Sequence, residues 1–216
     1  MINNPYKIVK MFEEEISVYT GSPYVVTVDS CTNALFLICK YLNVKEVTIP
    51  SQTYLSVPQS IIHSGGEVIF DKRSKTNHWK GVYQLKPYPI YDAAKRFTSN
   101  MYIPGSFMAL SFHIKKQLPI WKGGAILCDD KKSYEWFKKA RYEGRSEKYY
   151  KEDDITFLGW NMYMTPQQAA HGLAMMQNYP EHKEDLTEVN GYRDLTEFTV
   201  FKNNKVINEQ EYTIQN

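Results

Sequence analysis

The chain of 216 residues has no apolar run long enough to cross a bilayer. Its first residues, Met1-Ile-Asn-Asn-Pro-Tyr-Lys7, lack the apolar core of a secretion signal. Cysteine is scarce. Cys31, Cys39 and Cys128 are odd in number, far apart and without CxxC spacing, which argues against a disulfide framework and for reduced thiols in the cytoplasm. His63, His78, His113, His171 and His182 form no ligand-spaced set, so no metal site is expected. Neither sign of charge dominates: 26 lysines and arginines face 24 aspartates and glutamates, intermixed along the chain. A net charge of +2 gives no reason to expect nucleic acid or a membrane surface as a partner. Repeats and low-complexity tracts are also missing. What remains is an ordinary globular composition, 43% hydrophobic and 23% charged, at a length that buries one sizeable core.

The chain alternates strand and helix patterns. Phe12 to Tyr19 reads as an amphipathic helix closed by Gly21-Ser-Pro23. Tyr24-Val-Val-Thr-Val-Asp29, Glu46-Val-Thr-Ile-Pro50 and Glu67-Val-Ile-Phe-Asp71 read as strands, with helices from Ala34 to Leu42 and from Leu55 to His63 between them. That alternation predicts an α/β protein with a largely parallel sheet. Lys72 to Lys86 is polar and irregular, with Gly81-Val-Tyr-Gln-Leu85 as a possible further strand. Lys131 to Glu143 is helical, and Thr165-Pro166 makes an N-cap and first-turn pair for a helix reaching about Gln177. Beyond Lys183 the chain is polar, with strand-like fragments at Phe198–Phe201 and Lys205–Ile207.

Four places carry chemistry. Ser30-Cys-Thr-Asn33 joins a strand directly to a helix, so unpaired backbone N–H groups and the helix dipole favour an anion; a plain N-cap is the other reading. Asp92 ends a short apolar stretch, where a carboxylate is costly without a cationic or hydrogen-bonding partner; capping the next turn is its other reading. Tyr54 follows a strand end and is either a stacking ring or a core or surface aromatic. The fourth place is Met108 to Cys128, two buried strands flanking Ser111, His113, Lys115, Lys116 and a Gly123-Gly124 turn. An amine beside apolar surface is favoured in its neutral form, the form that attacks carbonyls, although strand-end lysines are commonly just solvated. Lys116 lies twenty-four positions after Asp92, which leaves room for both to reach one cleft at the carboxyl ends of the strands.

Ser111-Phe-His-x-x-Lys116, followed by Gly123-Gly124, resembles the cofactor-lysine segment of the DegT/StrS-type sugar-nucleotide aminotransferases. These are pyridoxal-phosphate enzymes of the aspartate aminotransferase fold, fold type I. Four more stretches resemble the family in its order: Ser30-Cys-Thr-Asn-Ala-Leu35, Pro50-Ser-Gln-Thr-Tyr54, Asp92-Ala-Ala-Lys95 and Gly159-Trp-Asn-Met-Tyr-Met164 with Gln167-Gln-Ala-Ala170. The resemblance implies a three-layer α/β sandwich with a mostly parallel central sheet. It makes residues 1–182 the pyridoxal-phosphate-binding large domain and 183–216 a residual stub of a largely missing C-terminal domain.

By the same resemblance, Lys116 is the catalytic Schiff-base lysine and Asp92 meets the ring nitrogen. Thr32, Asn33 and Ser111 contact the phosphate, Tyr54 stacks on the ring, and Lys95 stands where the 3-hydroxyl is met. Asn161 reaches the phosphate of the neighbouring subunit in a homodimer. The implied activity is transfer of an amino group, with glutamate the expected donor, to a nucleotide-linked ketosugar. Three positions depart from the family pattern: Cys31 for glycine, Lys95 for glutamine or histidine, and Tyr163 for arginine. With the shortened chain, the last two favour an alternative, a relative that binds cofactor, nucleotide sugar or a protein partner without turnover. A dehydratase of the same family is disfavoured because those relatives carry histidine at the lysine position, and Lys116 is intact.

Overall fold

The computed structural model describes residue 4 and residues 6–73, 78–187 and 191–209. Parts of the irregular stretch after Lys72 (74–77) and of the polar tail (188–190 and 210–216) lie outside the described residues. In chain order the helices are α1 (Lys7–Thr20), α2 (Cys31–Leu42), α3 (Ser56–His63), α4 (Lys131–Ala140) and α5 (Pro166–Met176). The strands are β1 (Tyr24–Val28), β2 (Glu46–Pro50), β3 (Glu67–Asp71), β4 (Tyr83–Leu85), β5 (Ile90–Asp92), β6 (Phe107–Ser111), β7 (Gly124–Cys128) and β8 (Lys205–Ile207). Among the described residues no helix is long and apolar enough to cross a membrane.

The strands form a five-stranded sheet, β1-β7-β6-β5-β4, and a three-stranded sheet, β2-β3-β8. A two-bond bridge between Thr48 and Lys86 continues one into the other. The β5–β6, β2–β3 and β3–β8 pairings are parallel; β1–β7, β6–β7 and β4–β5 are antiparallel. Strand direction follows from these signs. β1, β5 and β6 run one way with β7 and β4 reversed among them, and the antiparallel Thr48–Lys86 bridge sets β2, β3 and β8 in the majority direction. Consecutive strands β1 and β2 are therefore not neighbours. Their carboxyl ends, with those of β3, β5 and β6, nonetheless point to one edge.

Alternating side chains assign the two faces. On one side Val26, Val28, Ala109, Ile126 and Cys128 pack with Leu35 and Ile38 of α2, Ile61 of α3 and Phe137 of α4. On the other, Val25, Met108, Leu110, Ala125 and Leu127 pack with Phe12 and Ile16 of α1 and Ala169 of α5. This is a three-layer α/β arrangement. β7 is buried along its whole length, which explains why Gly-Ala-Ile-Leu-Cys reads as a continuous apolar run.

The segment after Lys183 packs into the same core. Leu195 and Phe201 are buried in it, and β8 lengthens the parallel sheet at β3. Phe198–Phe201, which has a strand-like pattern, instead ends in a 3-10 turn at Thr199–Phe201 that directly follows another at Leu195–Glu197. The Asp194 carboxylate caps this stretch by accepting from the Thr196 N–H, which favours a turn over an extended chain. The Gly81–Leu85 stretch does contribute a strand, β4, antiparallel to β5.

α1 and α5 meet through Gly172, where a β-carbon would collide with the ring of buried Phe12. Gly172→Ala is expected to overpack this contact and cost about 1–3 kcal/mol, read as a lower denaturation midpoint with an unchanged slope.

Candidate active site

The carboxyl ends of β1, β2, β5 and β6 and the start of β7 surround a cavity of about 370 Å³. Gly124 makes this convergence possible. It is the first residue of β7 rather than part of a free turn, and a β-carbon there would lie 2.5 Å from the Cys31 nitrogen and the Ser30 carbonyl carbon. Glycine thus lets β7 begin directly beneath the head of α2.

At that head, Ser30 is a true N-cap: its hydroxyl accepts from the Asn33 N–H at 3.2 Å. The Asn33 side chain donates to Asp29 at 2.7 Å and does not line the cavity. Thr32 does line it, beside Ser56 at the start of α3, with the two hydroxyls hydrogen-bonded at 2.8 Å. The structure therefore sets Ser56, rather than Asn33, next to Thr32. First-turn amides and two hydroxyls form an anion-binding arrangement.

Asp92 ends β5 on the cavity side and is buried. One carboxylate oxygen accepts from the Ala94 N–H and the other from the Tyr83 hydroxyl, each at 2.9 Å. Tyr83 is itself held by Thr53 at 2.6 Å. Burial raises the Asp92 pKa above the usual carboxylate range, against the lowering effect of these two donors and of the Lys116 and Lys95 ammonium groups. Burial and the Asp92 charge likewise push the Tyr83 phenol well up, so it stays a donor.

Three lysines line the cavity, Lys115, Lys116 and Lys122. Lys122 pairs with Asp29 at 3.7 Å. Lys116 is half-buried, and its charge acts on both Asp92 and Cys31. Its position comes from a tight turn after β6, in which its N–H donates to the His113 carbonyl at 2.8 Å. The chain then folds back through the Ile120 N–H to the Phe112 carbonyl. Ser111, at the end of β6, lines the same cavity. Burial raises the Cys31 thiol well above its ordinary value, which leaves it neutral and unreactive.

Aromatic rings close the remaining side. Tyr54 lines the cavity, 59% exposed, edge-on to Tyr192 at 6.3 Å. Tyr192 lies nearly parallel to Trp79 at 6.2 Å, and Trp79 packs on Tyr83 at 4.6 Å. Lys95 is not among the cavity-lining residues; its ammonium lies over Trp79 and Tyr192. Asn161 is also away from this cavity, exposed and donating to Glu143 at 2.9 Å. Five of the eight expected site residues, Thr32, Tyr54, Asp92, Ser111 and Lys116, thus meet in one cavity, while Asn33, Lys95 and Asn161 do not line it. Sequence reasoning missed Ser56, Tyr83, Trp79 and Tyr192. Period-two alternation in β4 points to Tyr83 as inward-facing, but nothing local marks Tyr192, which sits in a polar tail.

An α/β sheet with most strands running one way and helices on both faces is the large-domain fold shared with solved pyridoxal-phosphate-dependent aminotransferases. The chain belongs to the DegT/DnrJ/EryC1/StrS aminotransferase family, whose model matches residues 1–78 and 99–202. It is 25% identical over 238 aligned positions to the spore coat polysaccharide biosynthesis protein SpsC of Bacillus subtilis (strain 168), covering 85% of this chain and 60% of SpsC. A dTDP-4-amino-4,6-dideoxy-D-glucose transaminase of Shigella dysenteriae is 33% identical over 101 positions, covering 44% of this chain and 26% of that protein. Spr1654 of Streptococcus pneumoniae in its PLP form superimposes with a TM-score of 0.61 at 20% identity, covering 80% of this chain and 59% of its own. The chain thus spans at most about 60% of the length of these relatives. The matched segments leave out 79–98, the stretch that carries Trp79, Tyr83, Asp92 and Lys95.

A buried carboxylate with a raised pKa stabilises the fold while protonated. Its contribution is complete at acid pH and is lost as pH rises from the ordinary carboxylate value through the raised one. Asp92→Asn is expected to remove this part of the acid-to-neutral stability loss in the cofactor-free chain, measured by urea denaturation across that range.

Proposed function

We propose that this chain binds pyridoxal 5'-phosphate at the strand ends and serves transamination of a sugar, with a nucleotide-linked ketosugar as acceptor and glutamate as the expected donor. The observation that carries the reading is that Asp92, Lys116 and the head of α2 all border one cavity. The residues present fit the cofactor. A buried carboxylate whose charge is disfavoured by desolvation, with one donor to each oxygen, suits a protonated pyridine nitrogen. The first turn of α2, Thr32 and Ser56 suit a phosphate, and about 370 Å³ is ample for one small heterocycle. The family and the PLP-form neighbour support the same choice.

When bound, pyridoxal phosphate supplies a carbonyl that condenses with amines and a conjugated ring that accepts the electron pair left on a substrate carbon. The chain does the rest. Asp92, kept in place by Tyr83 and the Ala94 N–H, would hold the proton on the ring nitrogen. The Lys116 amine is assigned the proton transfer from the donor's α-carbon and its return on the other half of the reaction. Thr32, Ser56 and Ser111, which line the cavity, would bind and orient the phosphate, and Tyr54 would supply the ring-stacking surface. Asn161, exposed and outside its own cavity, is assigned to the cavity of a second copy in a homodimer. A cytoplasmic setting accords with three free cysteines.

The test is a half-reaction. Purified chain with pyridoxal phosphate and glutamate is expected to lose its visible absorbance to the near ultraviolet, and Lys116→Ala to slow this by about 10²–10⁴-fold. Binding without conversion across a panel of amino donors would sink the transaminase reading and leave the non-turnover alternative. Failure to bind the cofactor at all would sink the transaminase reading and leave only a relative that binds a nucleotide sugar or a protein partner.

A further inference from the structure

Lys95 departs from the family pattern and lies within the unmatched stretch 79–98. Its surroundings are unusual for a lysine. It is buried, only 5% exposed, and its ammonium sits 4.7 Å from the Tyr192 ring centroid and 5.4 Å from that of Trp79. Those rings are nearly parallel, at 18°, and both line the cavity, so Lys95 stands one layer behind its wall. The three residues come from separate parts of the chain: Trp79 before β4, Lys95 after β5, and Tyr192 in the C-terminal segment.

That segment is fastened on both sides of Tyr192. Before it, the Leu186 N–H donates to the Lys95 carbonyl at 3.0 Å, and Arg96 grips Asp185 with two bonds of 2.8 and 2.6 Å. The side chain of Gln117, next to Lys116, donates to the Glu184 carbonyl. After it, the Leu195 N–H donates to the Ser51 carbonyl at 2.9 Å. These anchors fix where the segment starts and ends, but not where the Tyr192 ring rests. A desolvated cation over two aromatic faces supplies that specification, because ring-face attraction strengthens when water is excluded. The same ammonium favours the charged form of Asp92, so its location serves both the wall and the floor of the cavity.

We propose that Lys95 is a positioning residue that clamps Tyr192 against Trp79, making the segment after 191 a wall of the cofactor cavity supplied by this chain itself. The consequence for cofactor retention rests on the pyridoxal-phosphate reading; the clamp does not. It is therefore tested first in the cofactor-free protein, by amide hydrogen exchange. Lys95→Met is expected to speed exchange at residues 191–195 about tenfold, the scale of one desolvated cation–π contact, with α1 and α5 unaffected. Lys95→Arg, which keeps the cation, is expected to restore slow exchange.

In pyridoxal-phosphate titrations, Lys95→Met and Tyr192→Ala should each weaken binding by a similar factor, and the double variant should weaken it little further. Unchanged exchange at 191–195 in Lys95→Met, or single effects that simply multiply in the double variant, would overturn the clamp. A wild-type chain that takes up no pyridoxal phosphate would overturn the functional reading, while the exchange measurement still decides the clamp.

Discussion

A carboxylate largely withdrawn from water governs the organisation of this site. Asp92 ends a three-residue strand between two neighbours and has one hydrogen-bond donor on each oxygen. An ionised group in that position is tolerable only if charge of the opposite sign is nearby. The chain answers with Lys116 across the cavity and Lys95 behind its wall, yet burial still prevails and the carboxyl pKa stays raised. A site left in this condition favours a ligand that brings its own cation to the carboxylate.

Two reversed strands make the site possible. β7 runs against β1 and β6, so its first residue, instead of its last, arrives at the edge where the other strands end. Gly124 then meets the head of α2 at backbone contact distance, and the turn after β6 carries Lys116 into the space between. Thr32, Asp92 and Lys116 come from places up to 84 residues apart, but they share one edge because the sheet directs them there. The aromatic side is built differently. Trp79, Tyr83 and Tyr192 form a chain of rings whose members belong to the unmatched stretch and to the C-terminal segment.

Much of the fold was legible in the chain. β2 and β3 fall on the expected residues because turn-forming neighbours bound short apolar β-branched runs, and α5 begins where Thr165-Pro166 predicts, with the Gln168 side chain completing a capping box. Phe198–Phe201 was not legible: its pattern is strand-like, but a carboxylate cap and two buried aromatic or aliphatic anchors turn it into 3-10 structure. Residues tied to a strand end or helix head, such as Thr32, Asp92 and Lys116, could be located from local pattern and resemblance. Asn33 reads like Thr32 in one dimension, but the helix turns its side chain to Asp29.

The sequence by itself determined most strands and helices up to α5, and with them which side chains stand at strand ends, because these depend on spacing and on neighbours a few positions away. Only the tertiary structure decided that β1 and β2 are not adjacent, that Ser56 stands beside Thr32, and that Lys95 lies beneath two rings instead of in the cavity. Those outcomes follow from how sheet edges, helix faces and a distant C-terminal segment share one buried volume, a constraint that acts between residues far apart in the chain and leaves no periodic trace along it.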